Sequence, residues 1–341
     1  MSSPATTTLI TRVAIAFDLG AAQAIQPLGG TATSKWAVTT DRGRFVIRVR
    51  PAEFASPERT RFAHTVLNRL AAAGLPVPHA LDRTDGTTTC ALEGRTFEVL
   101  SWIEGKPWPA GNPDAAKNLG TFLARFHSLT ADLTDQDAKP MPREDHPAAL
   151  QDCLARLRGL PATPEQSDQL AAIGQLLQRG RLELETTLYP SLLRAVIHGD
   201  FHPGNVRFNG TEVAALYDFD YLAVQARVRD LVDALMFFAS LRTTPFEPDS
   251  IRSLTQPFVP DAGLARPLLA GYQSVLPLTS DEWQALPLLL RSRWIQMRLR
   301  GSRKVPPAQQ LDFALDGFGQ VIEWLDREGP DFFTQLCLAK R

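Results

Sequence analysis

The sequence predicts an α+β protein of two lobes: a small β-rich lobe over residues 1–104 and a larger, mostly helical lobe over 105–341. The length supports two lobes, because 341 residues correspond to about two domains at roughly 150 residues each. Apolar residues form short alternating runs in the first hundred positions, with one helical stretch among them. In most of the remainder they recur at helical spacing.

The composition excludes several classes of protein. The chain is 44% hydrophobic and 21% charged, with a formal net charge of −1, so it is typical of a globular protein and has no basic field for nucleic acid or a membrane surface. It has neither a signal-peptide start nor an apolar run long enough for a transmembrane helix. Three cysteines without metal-ligand spacing favour a reducing, cytoplasmic location. No pattern indicates an oligomeric state.

The smaller lobe is predicted from two hairpins and a helix. Strands over 36–40 and 44–48 flank a tight turn, and a second hairpin covers 87–102. The helix begins at Ser56, where a capping hydroxyl is followed by a proline and an acid, and it ends at Gly74.

In the larger lobe, helices are predicted from Asn112, over 147–160 and over 164–188. A short apolar strand over 192–197 follows, and then a hairpin around Asn209-Gly210. From Asp230 onward the pattern is mostly helical.

The segment His198 to Asn205 carries the chemistry. Asp200 and Asn205 lie five positions apart, and Asp218 follows Asn205 by thirteen positions on the next hairpin. Phosphotransferases of the kinase type place a catalytic-loop Asp and Asn at this separation, followed by a metal-binding Asp. Carboxylate and amide oxygens suit Mg²⁺. We therefore expect Asp200 to accept the proton of a substrate hydroxyl, and Asn205 and Asp218 to hold the metal.

His198 to Asn205 together with Asp218 resembles the aminoglycoside phosphotransferase and choline kinase-like superfamily, which has the protein-kinase fold. The resemblance implies a phosphotransferase that uses ATP and Mg²⁺ and acts on the hydroxyl of a small molecule, such as an amino-alcohol, a sugar or an aminoglycoside. It further implies nucleotide-binding roles for one set of residues, namely Gly29, Gly30, Thr31, Arg48, Ser101 and Ile103. His198 and Asp230 would support the catalytic loop, with His202 and Asp220 as accessory residues.

One position departs from the family pattern. Arg48 stands where protein kinases have a lysine that pairs with a helix glutamate, but Ala63 stands near the position expected for that glutamate. Glu53 or Glu58 could replace it, or Arg48 could bind phosphate unaided. Asp230 has an alternative role as a helix N-cap, and His127 is expected to be a packing residue.

Three other functions stay open at this stage. The pattern His198, Asp200, His202 could belong to a metal hydrolase, although Pro203-Gly204 ends any strand there. A protein Ser/Thr kinase is a second alternative, but only residues 219–229 separate Asp218 from Asp230, and they contain no A-P-E tripeptide. A nucleotide-binding pseudokinase is a third. A basic run near the C-terminus is interpreted as a solvated helix face; its members are Arg291, Arg293, Arg298, Arg300, Arg303 and Lys304.

Overall fold

The computed structural model describes residues 4–29, 34–138, 141–247 and 250–338. Its N-terminal part is built on an antiparallel sheet with the strand order β1-β2-β3-β5-β4. The strands are β1 (Ala22–Leu28), β2 (Lys35–Thr40), β3 (Gly43–Val49), β4 (Thr89–Leu92) and β5 (Arg95–Ser101). Both predicted hairpins, β2-β3 and β4-β5, are confirmed.

Two helices cover this sheet, where the sequence predicted one. Helix α1 (Pro4–Ala16) packs apolar side chains such as Ile10 against Ile47 and Phe97 on one face. Helix α2 (Pro57–Ala72) is the predicted helix, capped by the Ser56 side chain, and it contributes Val66 to the core on the other face. Helix α1 was not predicted, because the N-terminal segment was considered only as a candidate signal peptide.

The remainder is mostly helical, as predicted. Its helices are α3 (Pro113–Leu129), α4 (Pro147–Arg158), α5 (Pro164–Gly180), α6 (Val228–Phe238), α7 (Ile251–Leu254), α8 (Ala262–Gln273), α9 (Ser280–Gly301), α10 (Gln310–Leu315), α11 (Phe318–Arg327) and α12 (Gly329–Leu338). A π-helical segment, Arg181–Leu188, continues α5 over the rest of the predicted stretch.

Three short strand pairs complete this part. Their strands are β6 (Arg194–Ile197), β7 (Val206–Asn209), β8 (Glu212–Leu216), β9 (Ala223–Ala226), β10 (Ser240–Arg242) and β11 (Phe258–Pro260). The pair β7-β8 is the predicted hairpin at Asn209-Gly210, and β6 pairs with β9, which the sequence analysis did not identify.

The α+β class is therefore confirmed, while the lobe boundary at 104/105 stays a prediction. The described ranges include no helix that is long and apolar enough to cross a membrane. Ion pairs connect the five-stranded sheet to the segment after β8: Arg48 on β3 lies 3.2 Å from Asp218. This junction contains the candidate active site.

Candidate active site

The catalytic loop begins with a turn that only glycine fits well. Gly199 has a φ of +78°, and a Cβ placed on it would lie 2.7 Å from the carbonyl oxygen of Tyr221. An L-residue in this conformation is strained, and the contact with backbone leaves no room for one. The turn therefore fixes where Asp200 leaves the β6 strand.

Asp230 is completely buried and binds this turn. Its Oδ2 accepts a hydrogen bond from the His198 backbone N–H at 2.7 Å, and its Oδ1 accepts one from Gly199 N–H at 2.9 Å. The N-cap interpretation of Asp230 is wrong, because Arg227 occupies the N-cap of α6 and Asp230 lies within the helix.

His127 is more than the packing residue we expected. Its Nε2 lies 3.1 Å from Asp230 Oδ2, and its Nδ1 lies 2.9 Å from the Tyr272 hydroxyl. Burial favours a raised pKa for Asp230, but the hydrogen bond from His127 outweighs it and lowers that pKa. His127 thus links the loop to helices α3 and α8.

The side chain of Asp200 is partly open to solvent, with 32% of it exposed. Asn205 Nδ2 donates to the Asp200 carbonyl oxygen at 2.9 Å and lies 3.4 Å from its Oδ2, and the ring of His202 lies 3.4 Å from the same carboxylate. Burial acts to raise the pKa of Asp200, but the His202 ring and Arg293 outweigh it and hold that pKa well below its usual range. Asp200 is therefore ionised at neutral pH.

A backbone hydrogen bond connects Asn205 to the residue before Asp218. Tyr217, which precedes Asp218, donates its backbone N–H to the Asn205 carbonyl oxygen at 2.8 Å. The Nε2 of His198 lies 2.9 Å from the Tyr217 carbonyl oxygen. The structure thus brings Asp200, Asn205 and Asp218 to one site.

The same contacts count against a metal hydrolase. His198 contacts Tyr217, whereas His202 accepts from the Gly204 N–H through its Nδ1 at 3.0 Å and packs against Phe237. Within the described ranges, no group of three or more His, Cys, Asp or Glu side chains could hold a metal ion. The two histidines support the loop from different sides.

Asp218 has an unusual backbone. Its φ of +65° and ψ of +72° are left-handed, a conformation that costs a non-glycine residue free energy and is concentrated at functional sites. Its side chain is 22% exposed, and its Oδ1 lies 3.2 Å from Arg48 Nη1. The strain directs this carboxylate into the junction between the sheet and the catalytic loop.

The acidic partner of Arg48 is Glu98, not a residue of the helix. Arg48 on β3 and Glu98 on β5 are directly opposite in the strand register, and Arg48 Nε lies 2.7 Å from Glu98 Oε1. Glu53 and Glu58 are exposed, so the expectation that one of them replaces the helix glutamate is wrong. The available signal was a glutamate within the apolar strand β5, which requires a buried cation.

Two further residues hold Glu98. Its Oε2 accepts from Arg50 Nη1 at 2.7 Å and lies 2.6 Å from His64 Nε2 on α2. Burial opposes ionisation of Glu98, but Arg48 and Arg50 outweigh it, so the pKa of Glu98 is held well below its usual range. The helix is therefore coupled to Arg48 through His64 and Glu98.

Asp220 is committed to the same cluster. It is buried, forms an ion pair with Arg48, and lies 3.6 Å from Arg50. Burial raises the pKa of Asp220, against the opposing effect of Arg48. To act as the accessory metal ligand that we expected, Asp220 would have to exchange these arginines for the metal ion.

Ser101 and Ile103, two of the residues expected to bind the nucleotide, use their backbone N–H groups within the protein. The Ser101 N–H donates to the His79 carbonyl at 2.9 Å, and the Ile103 N–H donates to the Tyr217 hydroxyl at 3.2 Å, which in turn donates to the Ile103 carbonyl at 2.7 Å. These two N–H groups are thus bonded within the protein, and the nucleotide-binding roles of Ser101 and Ile103 stay a prediction. Gly29 directly follows the end of β1, and Gly30 and Thr31 lie outside the described residues.

Sequence reasoning missed Asp233 and Arg293. Asp233 on α6 accepts from the Phe201 N–H at 3.3 Å and from Arg293 Nε at 2.6 Å, and Arg293 Nη2 lies 3.9 Å from Asp200. Burial raises the pKa of Asp233 to about 6, against the effect of Arg293. Spacing along α6 was the only signal, since Asp233 lies one turn after Asp230.

The solvated-face interpretation of the C-terminal basic run is wrong for most of its members. Arg298 is buried and donates to the carbonyl oxygen of Thr255 at 2.6 Å. Arg291 pairs with Asp326, and Arg300 lies 2.7 Å from Glu144. Arg291 and Arg298 are therefore bound within the protein, and Arg293 lies 3.9 Å from the catalytic carboxylate of Asp200.

Comparison with known proteins agrees with this geometry. The model of the phosphotransferase enzyme family (APH) matches residues 24–268. The homoserine kinase of Acidiphilium cryptum strain JF-5 is 28% identical over 294 residues, covering 83% of this chain and 82% of that protein.

Solved structures share the fold. A microcompartment-associated aminopropanol kinase superposes with a TM-score of 0.69 at 16% identity, covering 95% of this chain and 98% of that one. The amicoumacin kinase hAmiN, in complex with AMP-PNP, Ca²⁺ and Ami, gives a TM-score of 0.66 at 14% identity, and the match covers 92% of each chain.

A protein-kinase-like fold with a loop of this kind defines a phosphotransferase. This chain belongs to the phosphotransferase enzyme family and transfers a phosphoryl group from a nucleotide to the hydroxyl of a small molecule.

Proposed function

We propose that the phosphoryl donor is ATP with Mg²⁺, and that the acceptor is the hydroxyl of homoserine or a close amino-alcohol. The observation that carries the proposal is the contact between Asp200 and Asn205 beside Asp218. The acceptor class is supported by the homoserine kinase relative, which matches most of this chain.

The residues present fit a magnesium ion. Asn205 uses its amide nitrogen within the loop, so its amide oxygen is the atom suited to a hard cation. Asp218, which follows the residue hydrogen-bonded to the Asn205 carbonyl, would supply a carboxylate. When bound, Mg²⁺ neutralises charge on the β- and γ-phosphates. The proposal is supported by the ion pair between Arg48 and Asp218, in which this carboxylate already binds a cation.

Asp200 orients the acceptor. The acceptor hydroxyl donates a hydrogen bond to Asp200, its oxygen forms a bond to the γ-phosphorus, and the bond to the β-γ bridging oxygen breaks to release ADP. The proton passes to Asp200. Because cations hold the pKa of Asp200 low, it is a weak base and receives the proton late, which suits a loose transition state that needs little nucleophile activation.

Arg48 provides buried positive charge beside Asp218. It is buried beside Glu98, Asp218 and Asp220, and these carboxylates raise its pKa further despite burial. A guanidinium can bind phosphate oxygens in a bidentate manner. We infer that Arg48 moves part of its bonding from Asp218 to the nucleotide phosphates when ATP binds.

The proposal is tested by measuring ADP release with ATP and Mg²⁺ against a panel of hydroxyl acceptors. The panel contains L-homoserine, aminopropanol, choline, a sugar and an aminoglycoside. We expect the highest kcat/KM with homoserine or aminopropanol, and ³¹P NMR of the product should show a phosphate ester. Selective turnover of the sugar or the aminoglycoside would contradict the acceptor class.

We place the enzyme in the cytoplasm, in keeping with the free thiols of Cys90, Cys153 and Cys337.

A further inference from the structure

A continuous chain of polar contacts leads from the catalytic carboxylate to a charged pair at the surface. Arg293 Nη2 lies 3.9 Å from Asp200, and Arg293 Nη1 donates to Gln296 Oε1 at 2.9 Å. Gln296 Nε2 then donates to Glu144 Oε2 at 3.0 Å, and Arg300 Nη2 donates to Glu144 Oε1 at 2.7 Å. The contacts begin at the reacting group and end at two opposite charges.

Helix α9 sets the spacing of these polar contacts. Arg293, Gln296 and Arg300 follow each other by three and four positions, so they lie on one face of the helix. At about 1.5 Å per residue, Arg293 and Arg300 are separated by roughly 10 Å along the axis. Arg300 therefore lies about two turns of α9 beyond Arg293, the residue that contacts Asp200.

The terminal pair is partly open to solvent, unlike Arg293 and Gln296, which connect it to Asp200. The side chains of Glu144 and Arg300 are 28% and 36% exposed, whereas Gln296 is buried. Since Glu144 contacts both Gln296 and Arg300, it can exchange Arg300 for a ligand cation and still keep the buried amide. Arg300 can therefore be replaced by a ligand cation, while the contact with Gln296 holds Glu144 in place.

The segment that carries Glu144 is firmly anchored. The next residue, Asp145, is buried and pairs with Arg229 at 3.0 Å and with Arg143 at 3.2 Å. These cations outweigh burial and hold the pKa of Asp145 well below its usual range. An anchored neighbour reduces the entropy lost when Glu144 binds a ligand.

We propose that Glu144 and Arg300 form the acceptor subsite, with Glu144 binding an ammonium group and Arg300 a carboxylate. The ligand class is a zwitterionic hydroxy-amino acid. This inference rests on the proposed function and names the residues that select its acceptor. When a zwitterion binds, the ion pair between Glu144 and Arg300 is replaced by one ion pair from each of them to the ligand. Neither protein charge therefore loses its partner.

Three acceptors and two variants test the subsite. Aminopropanol lacks the carboxylate of homoserine, and γ-hydroxybutyrate lacks its ammonium group. Arg300→Gln should raise KM for homoserine about ten- to hundredfold, the loss expected for one charge-assisted hydrogen bond. It should not raise KM for aminopropanol, whose ammonium group takes the place of Arg300 at Glu144. Glu144→Gln should raise KM for both amines and spare γ-hydroxybutyrate.

The control is a second Glu–Arg pair at the same distance. Glu323 and Arg327 lie 2.7 Å apart on α11 and are 59% and 74% exposed, and Glu323→Gln and Arg327→Gln should leave every KM unchanged. Thermal unfolding of all four variants excludes misfolding. If wild-type protein turns over homoserine but Arg300→Gln loses both amines equally, the subsite is overturned and the proposed function stands. If wild-type protein turns over aminopropanol but no homoserine, the subsite fails and the proposed function stands. If it turns over only the sugar or the aminoglycoside, both fail.

Discussion

Arg48 and Glu98 face each other across strands β3 and β5, with Arg48 Nε 2.7 Å from Glu98 Oε1 and both side chains buried. In protein kinases the glutamate that pairs with this cation comes from a helix. Here the sheet supplies it, and the helix contributes His64, which contacts the second oxygen of Glu98. Helix α2 is thus connected to Arg48 through the side chains of His64 and Glu98.

Glu98→Gln should be strongly destabilising. It removes the negative charge that compensates Arg48 and Arg50, and leaving buried charge under-compensated costs about 3 kcal/mol or more. Urea unfolding measures the loss, and KM for ATP should rise as Arg48 shifts. The control is Glu93→Gln in the same hairpin, where the glutamate is half exposed in its ion pair with Arg12; equal stability of the two variants would rule out this role for Glu98.

Gly199→Ala should impair the catalytic loop. The added Cβ would lie 2.7 Å from the Tyr221 carbonyl oxygen at a φ of +78°, so we expect a loss of about 2 kcal/mol in stability, as left-handed strain and a clash both contribute, together with a lower kcat. Gly210→Ala is the matched control, because its φ is +61° and no atom lies within 4 Å of the added Cβ. Thermal unfolding and steady-state kinetics should separate the two, and identical behaviour would show that the turn is not constrained.

Asp218→Asn should weaken the use of the metal. The substitution keeps the shape and removes the charge that we assign to Mg²⁺, so the Mg²⁺ concentration needed for half-maximal activity should rise at least tenfold, which corresponds to about 1.4 kcal/mol. A titration of activity against Mg²⁺ at fixed ATP measures the change. An unaltered magnesium requirement would assign the metal to other residues.

Asp233 should make stability depend on pH. Its pKa is raised to about 6 in the folded protein against about 4 in the unfolded chain. Between these values the folded state holds a proton that the unfolded state has lost, so the contribution of Asp233 to stability falls as pH rises from about 4 to about 6, by at most about 1.4 kcal/mol per pH unit.

Asp233→Asn should abolish that slope. The variant cannot titrate, so the difference in unfolding free energy between wild type and variant should change across this pH range and be constant above it. Urea unfolding at a series of pH values measures it. A difference independent of pH would mean that Arg293, which lies 2.6 Å from Asp233, keeps the carboxylate ionised throughout.

The sequence predicted the parts of the structure that depend on local chemistry. The Ser56 cap, the Asn209-Gly210 turn and the spacing from Asp200 to Asn205 are short-range patterns, and the helix, the hairpin and the loop formed where these patterns indicated. The family resemblance supplied the functional class, which the comparisons support.

What the sequence did not reveal depends on pairing across the chain. Glu98 meets Arg48 only through the register of β3 and β5, and Arg293 reaches Asp200 only because α9 packs beside α6. A basic run looks solvated when its partners are far away in sequence. Arg298, which binds carbonyl oxygens from two distant segments, shows why spacing alone misassigned it.

The most direct test of the account is kcat of Asp200→Asn with saturating ATP, Mg²⁺ and the best acceptor. Loss of the positioned carboxylate should lower kcat by about a hundredfold or more, while the dissociation constant for the nucleotide and the unfolding temperature stay near those of the wild type. A variant that folds, binds the nucleotide and keeps a near-normal kcat would contradict the assignment of Asp200 as the residue that orients and deprotonates the acceptor.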